Sequence, residues 1–228
     1  MAVVWAVHIL DGILSWPWLA GGFVLSGVLC WLGLRNLDEQ GIARLGVLSA
    51  ALFVATLIHV PTPAGTSVHL LFNGLAGVLL GRRAGVAILL ALVLQALLLG
   101  HGGVTTIGVN TAIMALPALA AWGLFVRLRR AGWLDQGWSR WSSGLLLGSG
   151  TVLATASLNA LTLWLGSGEP LAALAVLVLL AHVPVAGAEG LVLAAAFDFL
   201  YRVKPEMLGL SLPGAAPPVC PQRERQAG

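Results

Sequence analysis

The chain has 228 residues, of which 58% are hydrophobic and only 9% charged, and its mean hydropathy is +0.93. A soluble domain carries roughly 25% charged residues, so a water-soluble fold is excluded, and so is a disordered chain. An outer-membrane barrel is excluded as well, because apolar residues here run on for about 20 positions instead of alternating with polar ones.

A helix rises about 1.5 Å per residue, so about 20 apolar residues cross the ~30 Å hydrocarbon layer. In chain order the apolar runs lie at about 15–34, 42–60, 68–81, 84–100, 104–126, 143–166 and 170–201. The third is short and the last is too long for one straight span. Pro184, Gly187 and Gly190 in the last run predict a kink, or a first half partly outside the membrane. The expected fold class is therefore all-α, a polytopic membrane helical bundle of seven spans, with six as the alternative count. One transmembrane domain is expected over 1–204, with 1–14 as an extracytoplasmic segment and 205–228 as a cytoplasmic tail.

Charge placement tests the count independently. The formal charge is +3 and the pI about 9.5. Arg35 and Arg44 flank the first connection, and Arg82 and Arg83 sit in the third. Arg127, Arg129, Arg130 and Arg140 lie in the fifth, and Arg202, Lys204, Arg223 and Arg225 follow the last run. All 12 basic residues thus fall on alternate ends, which the positive-inside rule assigns to the cytoplasm. The N-terminus is then outside, the C-terminus inside and the span number odd. Nucleic acid is not needed to explain the pI. Met1–Val7 reads as an extension and not a signal peptide, since it is short and lacks a basic n-region. Cys30 and Cys220 have no metal-type spacing and are read as packing and chance.

The histidines sort to the other side. His8 precedes the first run, His59 ends the second, His69 opens the third, His101 closes the fourth and His182 lies in the last. The uncharged connections HVPTPAGTSVH at 59–69 and GHGGVTTIGVN at 100–110 carry too much Pro and Gly for regular helix, and are expected to fold inward over a site. A single His at a helix end is usually a hydrogen-bonded interfacial residue. Five on one side, with no Lys or Arg among them, point to a bound cation. Neutral imidazole suits nickel, cobalt, copper or zinc. Asp11, Glu169 and Glu189 are too few carboxylates for a calcium or magnesium cage. Gly77 with Gly81, and Gly144 with Gly148, have the GxxxG spacing and are read as packing within the bundle. Trp16, Trp18 and Trp31 suit an interfacial belt, and Asp198 with Arg202 a helix-surface ion pair.

The segments HILDGILS at 8–15, GTSVHLLFNG at 65–74, LQALLLGHGGVTTIGVN at 94–110, AHVPVAGAEG at 181–190 and FLYRVKPEML at 199–208 together resemble the nickel/cobalt CbiM/NikM family. These are substrate-binding membrane (S) components of energy-coupling factor (ECF) transporters. The resemblance implies capture of Co2+ or Ni2+ as transported substrate, with no prosthetic group and no enzymatic activity. It implies as partners a membrane coupling (T) subunit and cytoplasmic ATPase subunits, with a small accessory membrane subunit as a further candidate, in the cell inner membrane. It also implies a site in which a terminal amine, the next amide and imidazole, and a loop His supply nitrogens in one plane. On matching motifs His8 is the second-position His and His69 the loop His. Four planar nitrogens favour nickel(II) or copper(II). His101, Thr105, Thr106 and Asn110 match a motif that orients the ligands, and His101, His59 and Asp11 are the alternative ligands should the terminal amine be absent.

One departure matters: seven residues precede His8, and Val7 stands where the family has its initiator Met. A GTG codon at Val7 used as the start would restore the amine, and Val7 is a ligand only on that condition. Two other readings compete. A stand-alone metal channel or secondary carrier calls for intramembrane carboxylates, of which Glu189 is the candidate. An intramembrane hydrolase calls for HExxH or GxSxG, and neither occurs. No GxxxxGK[ST] loop is present, so ATP hydrolysis belongs to other chains.

Overall fold

Helices form along the apolar runs because, in lipid, backbone N–H and C=O groups must be satisfied within the segment. The computed structural model describes residues 8–61, 67–167 and 172–210. Seven helices follow in order: α1 (Trp16–Leu34), α2 (Glu39–Ala55), α3 (Asn73–Leu80), α4 (Ala84–Leu99), α5 (Ile107–Arg130), α6 (Gly137–Gly166) and α7 (Ala172–Val203). Between α2 and α3 lie two three-residue strands, β1 (His59–Pro61) and β2 (Ser67–His69), paired antiparallel with His59 opposite His69.

Among the described residues, five stretches are long and apolar enough to cross a bilayer: Trp16–Leu34, Asn73–Leu99, Ile107–Arg130, Gly137–Gly166 and Val176–Val203. The second of these is not one rod. Gly81, a third of the way along it, has φ +59, and His69 and His101, which bracket the stretch, have ring centroids 5.3 Å apart. A straight helix of that length would separate its ends by about 40 Å, so the chain runs out along α3 and returns along α4. The break falls at Gly81 because an αL-side φ costs glycine little. Helix α2 spans 17 residues, starting earlier than its apolar run because Asp38 caps it by accepting from the Gly41 N–H at 3.1 Å. Helix α7 continues through Pro184, which deprives the helix of only one hydrogen bond.

Small residues set the helix contacts. A Cβ on Gly77 would overlap the Ala118 carbonyl of α5, and one on Gly148 would sit 2.7 Å from the Glu189 carbonyl of α7. Gly144 meets the Ala194 backbone in the same way. The GxxxG spacings therefore serve internal packing, as their sequence suggested. Ala84, Ala87, Ala115 and Ala118 are wholly buried where α4 and α5 pass the rest of the core. Helix α1 is the opposite case. It buries only Ser26, Cys30 and Gly33, and shows Phe23, Val24 and Trp31 outward, as a lipid-facing helix would.

Among the described residues, the arginines gather at one end. Arg82 donates to the Arg35 carbonyl, Arg83 to the Asn36 carbonyl, Arg44 to Met207, and Arg129 to Leu208. Asp198 pairs with Arg202 at 2.7 Å, and Arg140 joins at 3.4 Å. Pro205–Leu208 form a short 3-10 turn with Pro205 and Leu208 buried, so the start of the C-terminal segment is docked on this end. The opposite end holds His8, His69 and His101.

Candidate metal centre

The segment before α1 is pinned by the first turn of α5. The Ile9 N–H donates to Asn110 Oδ1 at 3.0 Å, and Asn110 Nδ2 returns a bond to the Ile9 carbonyl at 3.0 Å. The Thr106 hydroxyl donates to the same carbonyl at 2.6 Å. Two residues on, Asp11 accepts from the Val104 N–H at 3.0 Å, the Thr105 N–H at 2.8 Å and the Thr105 hydroxyl. Burial pushes the Asp11 carboxyl up, but these Thr105, Val104 and Thr106 donors outweigh it and hold it below its ordinary value. Gly103 must lack a side chain here, because a Cβ would overlap Asp11. Adjacent Gly102 has φ +77 and lies against His8. The glycines of GHGG thus let the 100–106 loop close over the N-terminal segment.

His69 leaves β2 at the head of α3. Its Nδ1 lies 3.0 Å from the Leu70 carbonyl, which can only accept, so Nδ1 carries the proton and Nε2 the lone pair. The next two amides, Leu71 and Phe72, both donate to the Glu189 carboxylate of α7, with the Phe72 bond at 3.0 Å. Phe72 takes the left-handed conformation, φ 48, at the N-cap of α3. His101 follows Gly100, which ends α4 with φ 60, and its N–H returns to the Gln95 carbonyl at 3.1 Å.

Three separate segments therefore deliver three imidazoles to one place. The ring centroids of His8 and His69 are 5.0 Å apart, those of His8 and His101 5.5 Å. One nitrogen from each ring lies within 4.8 Å of the others. His8 and His69 are 3% and 1% exposed, and His101 is partly open. Metal–nitrogen bonds of roughly 2 Å hold three ligand nitrogens roughly 3–3.5 Å apart, so the three rings would draw together by about 1–2 Å at most to share one ion. Burial, reinforced by His69 and His101, drives the His8 pKa well below its ordinary value against the opposing Gln95 bond. His8 is therefore neutral, the form that binds metal, at neutral pH.

Among the sequence-predicted residues, His8, His69 and His101 come together, and Thr106 and Asn110 grip the backbone beside His8. Thr105 instead holds Asp11, whose oxygens are occupied by the 104–105 donors and stand apart from the three rings. His59 is placed by its backbone opposite His69; its side chain, like all of Val7, lies outside the described residues. His182 is buried on α7, with Nδ1 donating to the Val178 carbonyl at 2.5 Å. Sequence reasoning missed Gln95 and Thr56. His8 Nε2 lies 3.1 Å from Gln95 Oε1, and Gln95 Nε2 lies 2.9 Å from Thr56 Oγ1. The available signal was Gln95 itself, a polar amide in an otherwise apolar run.

A family model described as "CbiM: Cobalt uptake substrate-specific transmembrane region" matches residues 8–207. The cobalt transport protein CbiM of Sorangium cellulosum is 33% identical over 217 residues, covering 89% of this chain and 94% of that one. Its counterpart in Carboxydothermus hydrogenoformans is 30% identical over 209 residues, covering 87% and 85%. The crystal structure of a truncated transition metal transporter superposes with a TM-score of 0.65 at 27% identity, covering 86% of this chain and 98% of that one. The match over nearly the whole described chain, on a bundle that carries a three-imidazole cluster, makes this protein a member of the CbiM family, a membrane component of metal transport and not an enzyme.

Proposed function

We propose that this chain is the substrate-specific membrane subunit of an energy-coupling factor transporter and captures cobalt(II) or nickel(II) at its histidine end. The observation that carries the reading is the convergence of His8, His69 and His101, three imidazole nitrogen donors with no carboxylate among them. Such a donor set discriminates against calcium and magnesium and favours late first-row ions. The metal is taken up outside the cell inner membrane and released at the arginine-rich end, which faces the cytoplasm. Seven crossings, α1 to α7, place the N-terminal segment outside and the 205–228 tail inside. A membrane coupling subunit and cytoplasmic ATPases dock at that basic end and drive release, since this sequence has no phosphate-binding loop.

Nickel and cobalt are separated by what precedes His8. If translation starts at the Val7 codon, a terminal amine, the His8 amide and the His8 imidazole chelate in one plane with His69, which suits nickel. If residues 1–7 are retained, His101 or His59 completes a less planar set, which suits cobalt. N-terminal sequencing of the protein made from its native gene decides between the two.

The function is tested by titrating purified protein with Co2+ and Ni2+, alongside metal uptake by cells with and without the partner subunits. Binding to the isolated chain, with uptake only when partners are present, is expected. Uptake by this chain alone would make it a self-sufficient channel or carrier, and failure to bind either ion would overturn the metal reading.

A further inference from the structure

The side chains behind His8 form a chain of hydrogen bonds whose direction is forced from its far end. The Thr56 hydroxyl donates to the Phe53 carbonyl at 2.6 Å. A backbone carbonyl only accepts, so this bond consumes the one proton that Thr56 Oγ1 has. Toward Gln95, at 2.9 Å, Thr56 can then only accept, and the Gln95 amide must turn its NH2 group that way. The amide oxygen is left facing His8 Nε2 at 3.1 Å, and an amide oxygen cannot donate. The proton in that contact belongs to His8 Nε2. The lone pair of His8 is thereby placed on Nδ1.

We infer that Gln95 and Thr56 are positioning residues that hold His8 in its Nε2–H tautomer and so present Nδ1 to the metal. Nδ1 is the nitrogen closer to the backbone, the one from which an imidazole can close a six-membered ring with its own amide. Reversal of the Gln95 amide would move the proton to Nδ1 and leave the ring unable to ligate from that side. The pair is well placed to prevent this. Gln95 and Thr56 are 1% and 4% exposed, so water does not compete for the bonds, and an amide left without partners there is costly. They come from the body of α4 and from the end of α2, 39 residues apart in sequence. The tautomer of the capturing residue is therefore set by two helices that do not touch the ion. The inference rests on the metal-binding reading for its purpose, but the tautomer itself is a property of the metal-free protein.

The test uses full-length protein, isotopically labelled at histidine, in detergent or nanodiscs. The variants Thr56→Val and Gln95→Leu are close in size to the originals and apolar, so neither burdens insertion of its helix. Imidazole 15N shifts in metal-free protein report which nitrogen of His8 bears the proton. The wild type should show a single Nε2–H form. Thr56→Val, which does not contact His8, should show a mixture, because the freed amide can turn over. Gln95→Leu should lose the preference, and Gln95→Glu, which keeps an acceptor toward Nε2–H, should restore it. Cobalt affinity should fall by roughly 10- to 100-fold in Thr56→Val and Gln95→Leu, the range for orienting residues around metal sites. An unchanged His8 tautomer in both variants, or loss of affinity without a tautomer change, would overturn the inference. A wild type that holds the Nε2–H form yet binds neither cobalt nor nickel would overturn the function and leave the tautomer lock standing.

Discussion

Replacing Asn110 with Leu removes the clamp on the N-terminal segment while keeping side-chain volume. In the structure Asn110 closes a two-bond ring with Ile9, accepting from its N–H and donating to its carbonyl, each at 3.0 Å. The Thr106 hydroxyl continues to serve the carbonyl, so the substitution leaves one buried donor, the Ile9 N–H, without a partner. Orphaning a buried group costs about 1–3 kcal/mol, and the second bond adds about 1 kcal/mol. Undocking of residues 8–11 is therefore favoured by about 2–4 kcal/mol relative to the wild type. A metal that needs His8 docked loses affinity in proportion to the docked fraction, up to roughly 30- to 700-fold at 1.4 kcal/mol per decade. Isothermal titration with cobalt reads the affinity, and amide hydrogen exchange of residues 8–12 reads the docking. Faster exchange with weaker binding is expected. Unchanged exchange and affinity in Asn110→Leu would refute the idea that this ring holds the site together.

Other consequences follow from the same geometry. His69→Ala and His101→Ala each delete a nitrogen from the cluster, and cobalt affinity should fall by more than the roughly 10- to 100-fold expected for an orienting residue; retention of wild-type affinity in His101→Ala would return that residue to a supporting role. Because burial and the neighbouring rings depress the His8 pKa, protonation of His8 should weaken metal binding only once the pH drops toward that lowered value, on the acid side of neutrality. The same shift makes His8 bind fewer protons folded than unfolded, so its contribution to stability should decline as pH falls from about 6.5; thermal melts between pH 5 and 8 that rise toward acid would contradict it. Gly77→Ala drives a methyl into the Ala118 carbonyl and should lower the melting temperature, at a cost of about 1–3 kcal/mol. Gly123→Ala, whose Cβ meets nothing within 4 Å on helix α5, should be neutral or stabilising. Equal behaviour of the two glycine variants would remove the packing argument.

The helices were legible because lipid solvation acts through local apolarity, which is written directly in runs such as 15–34 and 84–100. His8, His69, Thr106 and Asn110 were legible as motif residues, and the structure brings them within reach of one another. What escaped depends on contacts between distant segments. The β1–β2 pair, three residues a side, is too short to carry an alternation signal. The third run was expected to be helical from 68, but the chain stays extended to His69 and α3 starts at Asn73, because Glu189, 118 residues away, takes the Leu71 amide. The second run was read as 42–60, whereas α2 covers Glu39–Ala55; apolarity marked the lipid-facing stretch but not the Asp38 cap or the turn into β1. His101 was read as an orienting residue or an alternative ligand, and its ring stands 5.5 Å from that of His8 and 5.3 Å from that of His69, little more than the 5.0 Å between those two. The α3–α4 break at 81–83 was marked by Arg82 and Arg83 between two apolar runs, but that the return along α4 brings His101 against His8 and His69 depends on contacts no local pattern announced. Gln95 had a visible oddity, its polarity, but its partners could not be read without the fold.

X-ray absorption at the cobalt edge of the loaded, purified chain examines the coordination sphere itself. An inner shell of nitrogen atoms at roughly 2 Å, with the outer scattering of at least two imidazole rings that vanishes in part in His69→Ala, is the predicted spectrum. A shell of oxygen atoms without imidazole scattering, unchanged by that substitution, would mean that the ion rests elsewhere and that these histidines do not capture it.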